Sequence, residues 1–276
     1  MTRELNHVDL CFVIDTTGSM GPFIQAAQQQ LLDTMDRLRA ESDVDLQVGL
    51  VEFRDHPPQD TSFVTRAYPL TTDFKKMQKV INGLKADGGG DGPEAVYDGV
   101  DAACGLMKWR EHSCRFVLLV GDSPPHGFRT QPQEEPPARG RRRRVDHEDG
   151  FPAGCPCGLT AQSVTAKAEN QRVTVHALCM GDDPITVESF TEIAIGTGGQ
   201  CASARNAQEI VGKIIEMLTA EFRDLQFDAQ VLTTAQRMKQ LDIAAIADAL
   251  RCPRLQAAAA VARLGRRGFL GGIVKR

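Results

Sequence analysis

The feature that most constrains this fold is a pair of nearly continuous apolar runs, Val8 to Ile14 (VDLCFVI) and Cys114 to Gly121 (CRFVLLVG). Each stops on an aspartate, Asp15 and Asp122. Runs of this length without clean alternation read as strands buried on both faces, the signature of a parallel sheet covered by helices on either side. In such sheets ligands gather beyond the carboxyl ends of the strands, so the two runs deliver two acids to one rim. Asp15 is followed by Thr17 and Ser19, two hydroxyls spaced by two, with Gly18 suited to a sharp turn and Gly21-Pro22 to a helix start. One carboxylate and two hydroxyls are hard oxygen donors, which Mg²⁺, Mn²⁺ and Ca²⁺ prefer, whereas Zn²⁺ prefers nitrogen and sulfur.

The elements around these runs alternate. Pro22 to Ala40 carries Phe23, Ile24, Ala27, Leu31, Met35 and Leu38 at helical spacing. Asp45 to Phe53 and Phe63 to Tyr68 read as strands joined as a hairpin, with Asp55-His56-Pro57-Pro58 as turn chemistry between them. A helix capped by Asp73 runs to Leu84 and leads into the glycine-rich turn Asp87 to Glu94 (DGGGDGPE), able to approach a ligand closely, and then into a helix from Ala95 to Trp109. After Asp122 the periodicity is lost until Gly158, and residues 127–154 are expected to form a long, flexible surface insertion. Helices over Thr160–Asn170, Pro184–Ile195 and Ala207–Leu225, a strand over Arg172–Met180 and an edge strand over Gln200–Ala204 complete the pattern. The expectation is an α/β fold, a doubly wound and mostly parallel sheet over residues 1–225, with a small helical extension over 226–276.

Composition narrows the partners. A net charge of −4 over 276 residues argues against broad attraction to nucleic acid or acidic membranes. No basic-then-apolar leader opens the chain and no run is long enough to span a bilayer, so a soluble, cytoplasmic protein is expected. Eight cysteines would allow a disulfide framework, but Cys11, Cys104 and Cys179 fall inside apolar elements and read as buried reduced thiols. In the insertion, Cys155-Pro156-Cys157 with His126 and His147 nearby is a weak zinc signal, because the pair lacks a second pair; surface thiols are the expectation. The five arginines of Arg139 to Arg144 are flanked by Glu134, Glu135, Asp146, Glu148 and Asp149, which largely neutralise them. The Ala- and Arg-rich tail is similar to the helix-turn-helix portion of winged-helix domains and equally suits a helical hairpin, with protein docking the expected use.

Taken together, the three loops resemble the von Willebrand factor A domain family over residues 7–225. DTTGSM resembles that family's DxSxS element with Thr in place of the first Ser, GGGDGPEAV a variant of its second metal loop, and LLVGDSPPHG its third. The resemblance implies a metal-ion-dependent adhesion site: Asp15, Thr17, Ser19 and Asp122 around Mg²⁺, Mn²⁺ or Ca²⁺, with one position open to a partner's Asp or Glu. Asp91 stands beside Gly90 where the adhesion pattern has a Thr, which adds a carboxylate to the expected ligands. The resemblance further implies a non-enzymatic interaction module in an intracellular assembly, such as one built on an AAA-type ATPase or a kinase. Two alternatives are weighed against it. A magnesium-dependent phosphatase of the haloacid dehalogenase type needs a general acid two residues after its nucleophilic Asp, and Thr17 cannot serve. A transcriptional adaptor would use the tail on DNA. No GxxxxGK[ST], HExxH or GxSxG string gives another enzyme reading a foothold.

Overall fold

The computed structural model describes residues 4–90, 92–128, 149–271 and 273. A six-stranded sheet has the order β3-β2-β1-β4-β5-β6, with β1 His7–Asp15, β2 Asp45–Phe53, β3 Thr65–Thr71, β4 Cys114–Gly121, β5 Val173–Met180 and β6 Cys201–Ala204. All neighbours are parallel except β2 and β3. This is the expected doubly wound α/β arrangement. The β3 strand begins two residues later than the sequence suggests and extends to Thr71 through Pro69, which an edge position tolerates.

The helices cover both faces. On one side α1 Gly21–Ser42, α2 Phe74–Gly83 and the first half of α6 Ala207–Met238 bury Phe23, Leu31, Met77, Ile214 and Phe222 against Val8, Leu10, Phe12 and Ile14 of β1. On the other, α3 Val96–Leu106, α4 Ala161–Asn170 and α5 Pro184–Gly196 pack Val100, Val164 and Phe190 against Cys11 and Val13. Between its polar ends, His7 and Asp15, the strand is thus apolar on both faces, with Asp9 as the exception. That buried acid is matched by Arg110, whose backbone N and Nε each donate at 2.7 Å, and by the Ser113 hydroxyl at 2.7 Å.

Helix starts follow local chemistry. Asp73, Thr160, Asp183, Asn206 and Asp242 each accept a backbone amide of the first turn. The sequence reading ended α6 at Leu225; the helix instead continues to Met238 because its buried stripe continues through Asp228, Val231, Leu232 and Ala235, and no Gly or Pro interrupts it before Lys239 takes a left-handed conformation at φ 55°. Against this second half pack α7 Ile243–Leu250 and α8 Arg254–Arg266, forming a third core with Leu5, Ile246, Ala257, Ala260, Leu264 and Phe269. Among the described residues no strand follows α8, so the winged-helix likeness ends at its helical part.

Two basic residues of that tail are engaged internally, while Arg251, Arg254 and Arg266 are exposed. Arg263 forks onto Asp228 at 3.1 and 2.6 Å and reaches Asp224 at 2.9 Å, while Arg267, only 5% exposed, donates to the backbone oxygens of Leu5 and His112 at 2.8 and 3.1 Å. No helix among the described residues is long and apolar enough to cross a membrane.

Candidate metal centre

The strand order changes direction between β1 and β4, the switch point at which an α/β sheet opens a crevice. The register sets Ile14 beside Val120, so Asp15 and Asp122 leave the sheet next to one another. Asp15 is fully buried. Its Oδ1 accepts from the Thr17 amide at 2.8 Å and the Thr17 hydroxyl at 2.6 Å, and Thr17 Oγ1 lies 3.5 Å from Ser19 Oγ. Asp15 Oδ2 is buried with no hydrogen-bond partner among the described residues. Asp122 is half-buried and takes side-chain hydrogen bonds from Ser19 and Ser123, the latter at 3.2 Å. Four of the expected ligands, Asp15, Thr17, Ser19 and Asp122, therefore meet at one rim.

Electrostatics make the pair uncomfortable. Burial first, then the neighbouring Asp122, pushes the Asp15 carboxyl up to about 7, against the pull of Thr17 and Arg54. Burial also raises Asp122, against its hydrogen bonds from Ser19 and Ser123. Two desolvated carboxylates side by side favour either protonation or a cation between them.

The glycine-rich turn closes the crevice. Gly18 N donates to Gly88 O at 3.2 Å and Asp87 N to Thr16 O at 3.0 Å, tying the second loop to the first. Gly89 sits at φ 81°, and a Cβ there would lie 2.9 Å from Glu94 Oε1 and 3.2 Å from Thr17 Cβ, so only glycine allows this approach. Glu94, 3% exposed, also donates its backbone amide to Pro124 O at 2.9 Å, tying the second loop to the third. Sequence reading passed over Glu94 as part of a helix-start turn. The available signal was its place directly after Gly-Pro and ahead of an apolar helix. Asp91, the fifth expected ligand, lies outside the described residues.

Arg54 was also missed. It is buried behind the first loop, with Nε donating to Thr16 Oγ1 at 3.3 Å, Nη1 to Ser62 Oγ at 3.1 Å and Nη2 to Lys85 O at 3.0 Å. Its charge lies close enough to Asp15 to favour the carboxylate form.

With this geometry in hand, comparison with known proteins decides the family: residues 9–127 match the family model described as the von Willebrand factor A domain. This part of the chain is a von Willebrand factor A domain. The alpha-protein kinase vwkA of Dictyostelium discoideum is 32% identical over 126 residues, 45% of this chain and 20% of the kinase. An ariadne-like RING finger protein of Acanthamoeba polyphaga mimivirus is 31% identical over 119 residues, 43% of this chain and 11% of its own length. The chain thus spans a fifth or less of these relatives. Among solved structures, proximal thread matrix protein 1 from the mussel byssus superposes with a TM-score of 0.52 at 14% identity, over 78% of this chain and 45% of that one. A second structure of the mussel protein, at TM-score 0.50, carries a zinc-occupied metal-ion-dependent adhesion motif.

The fold holds a second polar group, which corrects the reading of Cys155 as a surface thiol, whereas Cys157 is exposed as expected. Cys155 is buried, and its Sγ lies 3.0 Å from Asp98 Oδ2 and 3.7 Å from His56 Nε2, with Cys157 exposed beside it. His126 is engaged elsewhere, by Asp55 at 2.6 Å and Asp149 at 2.9 Å, and His147 lies outside the described residues. Asp149 in turn accepts from the Gly127 and Phe151 amides, both at 2.8 Å, so the described ends of the expected insertion, up to Phe128 and from Asp149, are fastened to each other.

Proposed function

We propose that this A domain is a metal-dependent protein-recognition module, in which Asp15, Thr17, Ser19 and Asp122 hold a hard divalent cation, Mg²⁺, Mn²⁺ or Ca²⁺, and an Asp or Glu of a protein partner completes its shell. The observation that carries this reading is Asp15 Oδ2, a fully buried carboxylate oxygen without a hydrogen-bond partner among the described residues, beside a second, half-buried acid. Such an oxygen is costly unless a proton or a cation meets it, and a cation relieves both acids at once. The donors are oxygens throughout, which suits a hard ion. The zinc-occupied motif of the mussel protein supports a divalent ion at this rim.

When bound, the ion supplies positive charge at the mouth of the crevice. The chain's own part is to hold the carboxylates desolvated, to orient Asp15 through Thr17, and to keep the second loop close through Gly89. Asp91 and Glu94 are the further acids of that loop. Each carboxylate that joins the shell tightens the ion and weakens its pull on an outside acid, so these two positions set the balance between holding the metal and holding the partner. We take the module to be non-enzymatic and cytoplasmic, serving an assembly of the AAA-type ATPase or kinase-associated kind. The relative that joins a matching segment to a kinase supports the latter.

The test is isothermal titration of Mg²⁺ into the wild type, Asp15→Ala and Asp122→Ala, followed by partner capture in Mg²⁺ or chelator. Expected is one bound equivalent that both substitutions abolish, and capture that chelator prevents. Capture unaffected by chelator and by both substitutions would overturn metal-bridged recognition.

A further inference from the structure

Away from the Asp15 rim, three distant parts of the chain converge on one point. His56 comes from the connection after β2, Asp98 from the first turn of α3, and Cys155 and Cys157 from the segment leading into α4. One ligand atom from each lies within 4.8 Å of the other three. His56 Nε2 and Asp98 Oδ2 are 3.0 Å apart, Cys155 Sγ is 3.0 Å from that oxygen and 3.7 Å from that nitrogen. A zinc tetrahedron with ordinary bond lengths has edges of about 3.3 to 3.8 Å, so small adjustments bring the four donors onto its corners.

We propose that His56, Asp98, Cys155 and Cys157 form a zinc site, separate in place and in chemistry from the oxygen-lined rim. The donor set of two sulfurs, a nitrogen and one carboxylate oxygen is the class that selects zinc over magnesium or calcium. Backbone donors reach the Cys155 sulfur, against burial and Asp98, which push its thiol up to about 12. The Cys157 amide donates to Cys155 Sγ at 3.3 Å, the Leu159 backbone also bonds to Cys155, and Gly158, at φ 71°, turns the chain so that its own amide reaches Cys155 O at 2.8 Å. Aromatic rings wall the cluster: Phe151 meets His56 edge-on at 5.8 Å and His126 at 4.9 Å. Four protein donors leave no position for a reacting group, which makes the site structural. Binding exchanges the two thiol protons for one Zn²⁺, with no change of oxidation state. Its effect is to pin the return of the insertion to β2's exit and to the start of α3, four residues beyond Glu94 of the second rim loop.

The experiment is metal analysis by plasma mass spectrometry of the purified full chain, as wild type, as Cys155→Ser/Cys157→Ser and as Asp15→Ala, each saturated with zinc and dialysed. About one equivalent is expected in the wild type and in Asp15→Ala, and about none in the double serine variant. Zinc retained by the double variant, or lost on Asp15→Ala, would overturn the assignment. Should the double variant not fold, cobalt titration of the wild type decides. An intense tetrahedral spectrum with a thiolate charge-transfer band at one equivalent, bleached by zinc, is expected; a weak octahedral spectrum without that band would refute the site.

Discussion

At the scale of single residues, Asp15 carries the conflict on which the site depends. A buried acid with one unpartnered oxygen and a neighbouring acid weakens the metal-free fold. Asp15→Asn is therefore expected to lose the cation and to leave the chelator-treated protein as stable as wild type or up to about 2 kcal/mol more so. Thermal melts in chelator and in Mg²⁺ check this: only the wild type should gain from Mg²⁺. Gly89→Ala is expected to cost about 1 to 2 kcal/mol, since it forces a left-handed residue and crowds Thr17 and Glu94, and to weaken metal binding with it; denaturant unfolding and Mg²⁺ titration measure the two effects. Asp15, Thr17, Ser19 and Asp122 were legible because each stands at a fixed offset from the end of an apolar strand. Glu94 and Arg54 were not, because what marks them is burial, and burial of a charged residue leaves no periodicity. The Cys155–Cys157 pair was visible, but its companions His56 and Asp98 lie 42 residues apart from each other, and only the fold unites them.

At the scale of elements, the strands were read nearly to the residue where burial on both faces made them continuous. The end of α6 was missed because the helix changes neighbours at about Leu225, leaving the sheet for α7 and α8, and a change of partner does not interrupt a stripe. Leu232, buried in that second core, should cost about 2 to 4 kcal/mol as Leu232→Ala, measured by denaturant unfolding. Asp228 supplies a pH signature on the same helix. Burial raises its carboxyl to about 6 in spite of the Arg263 fork, well above the unfolded value of about 3.9. With the folded pKa the higher, the group's contribution is fully present below about pH 4 and is lost as the pH rises through about 6, by at most about 3 kcal/mol. Asp228→Asn should flatten that part of the stability–pH curve, read as a change of slope, since Arg263 keeps Asp224.

At the scale of the whole molecule, one sheet carries the two proposed metal sites and a helical annex on one helix. The oxygen-lined rim lies where β1 and β4 diverge, and the sulfur-containing cluster draws on the connection after β2, on α3 and on the segment before α4. The annex is bound to the sheet through Arg267, whose guanidinium reaches backbone oxygens near the chain's start and in the turn before β4. The central claim is that Asp15 and Asp122 share a hard divalent cation. It is tested most directly by an anomalous difference map from crystals of the full chain grown in Mn²⁺ with chelated trace zinc. The account predicts a manganese peak in contact with Asp15 Oδ2 and in the shell of Thr17, Ser19 and Asp122. A map with no peak at that rim in saturating Mn²⁺, with both carboxylates ordered, would contradict it.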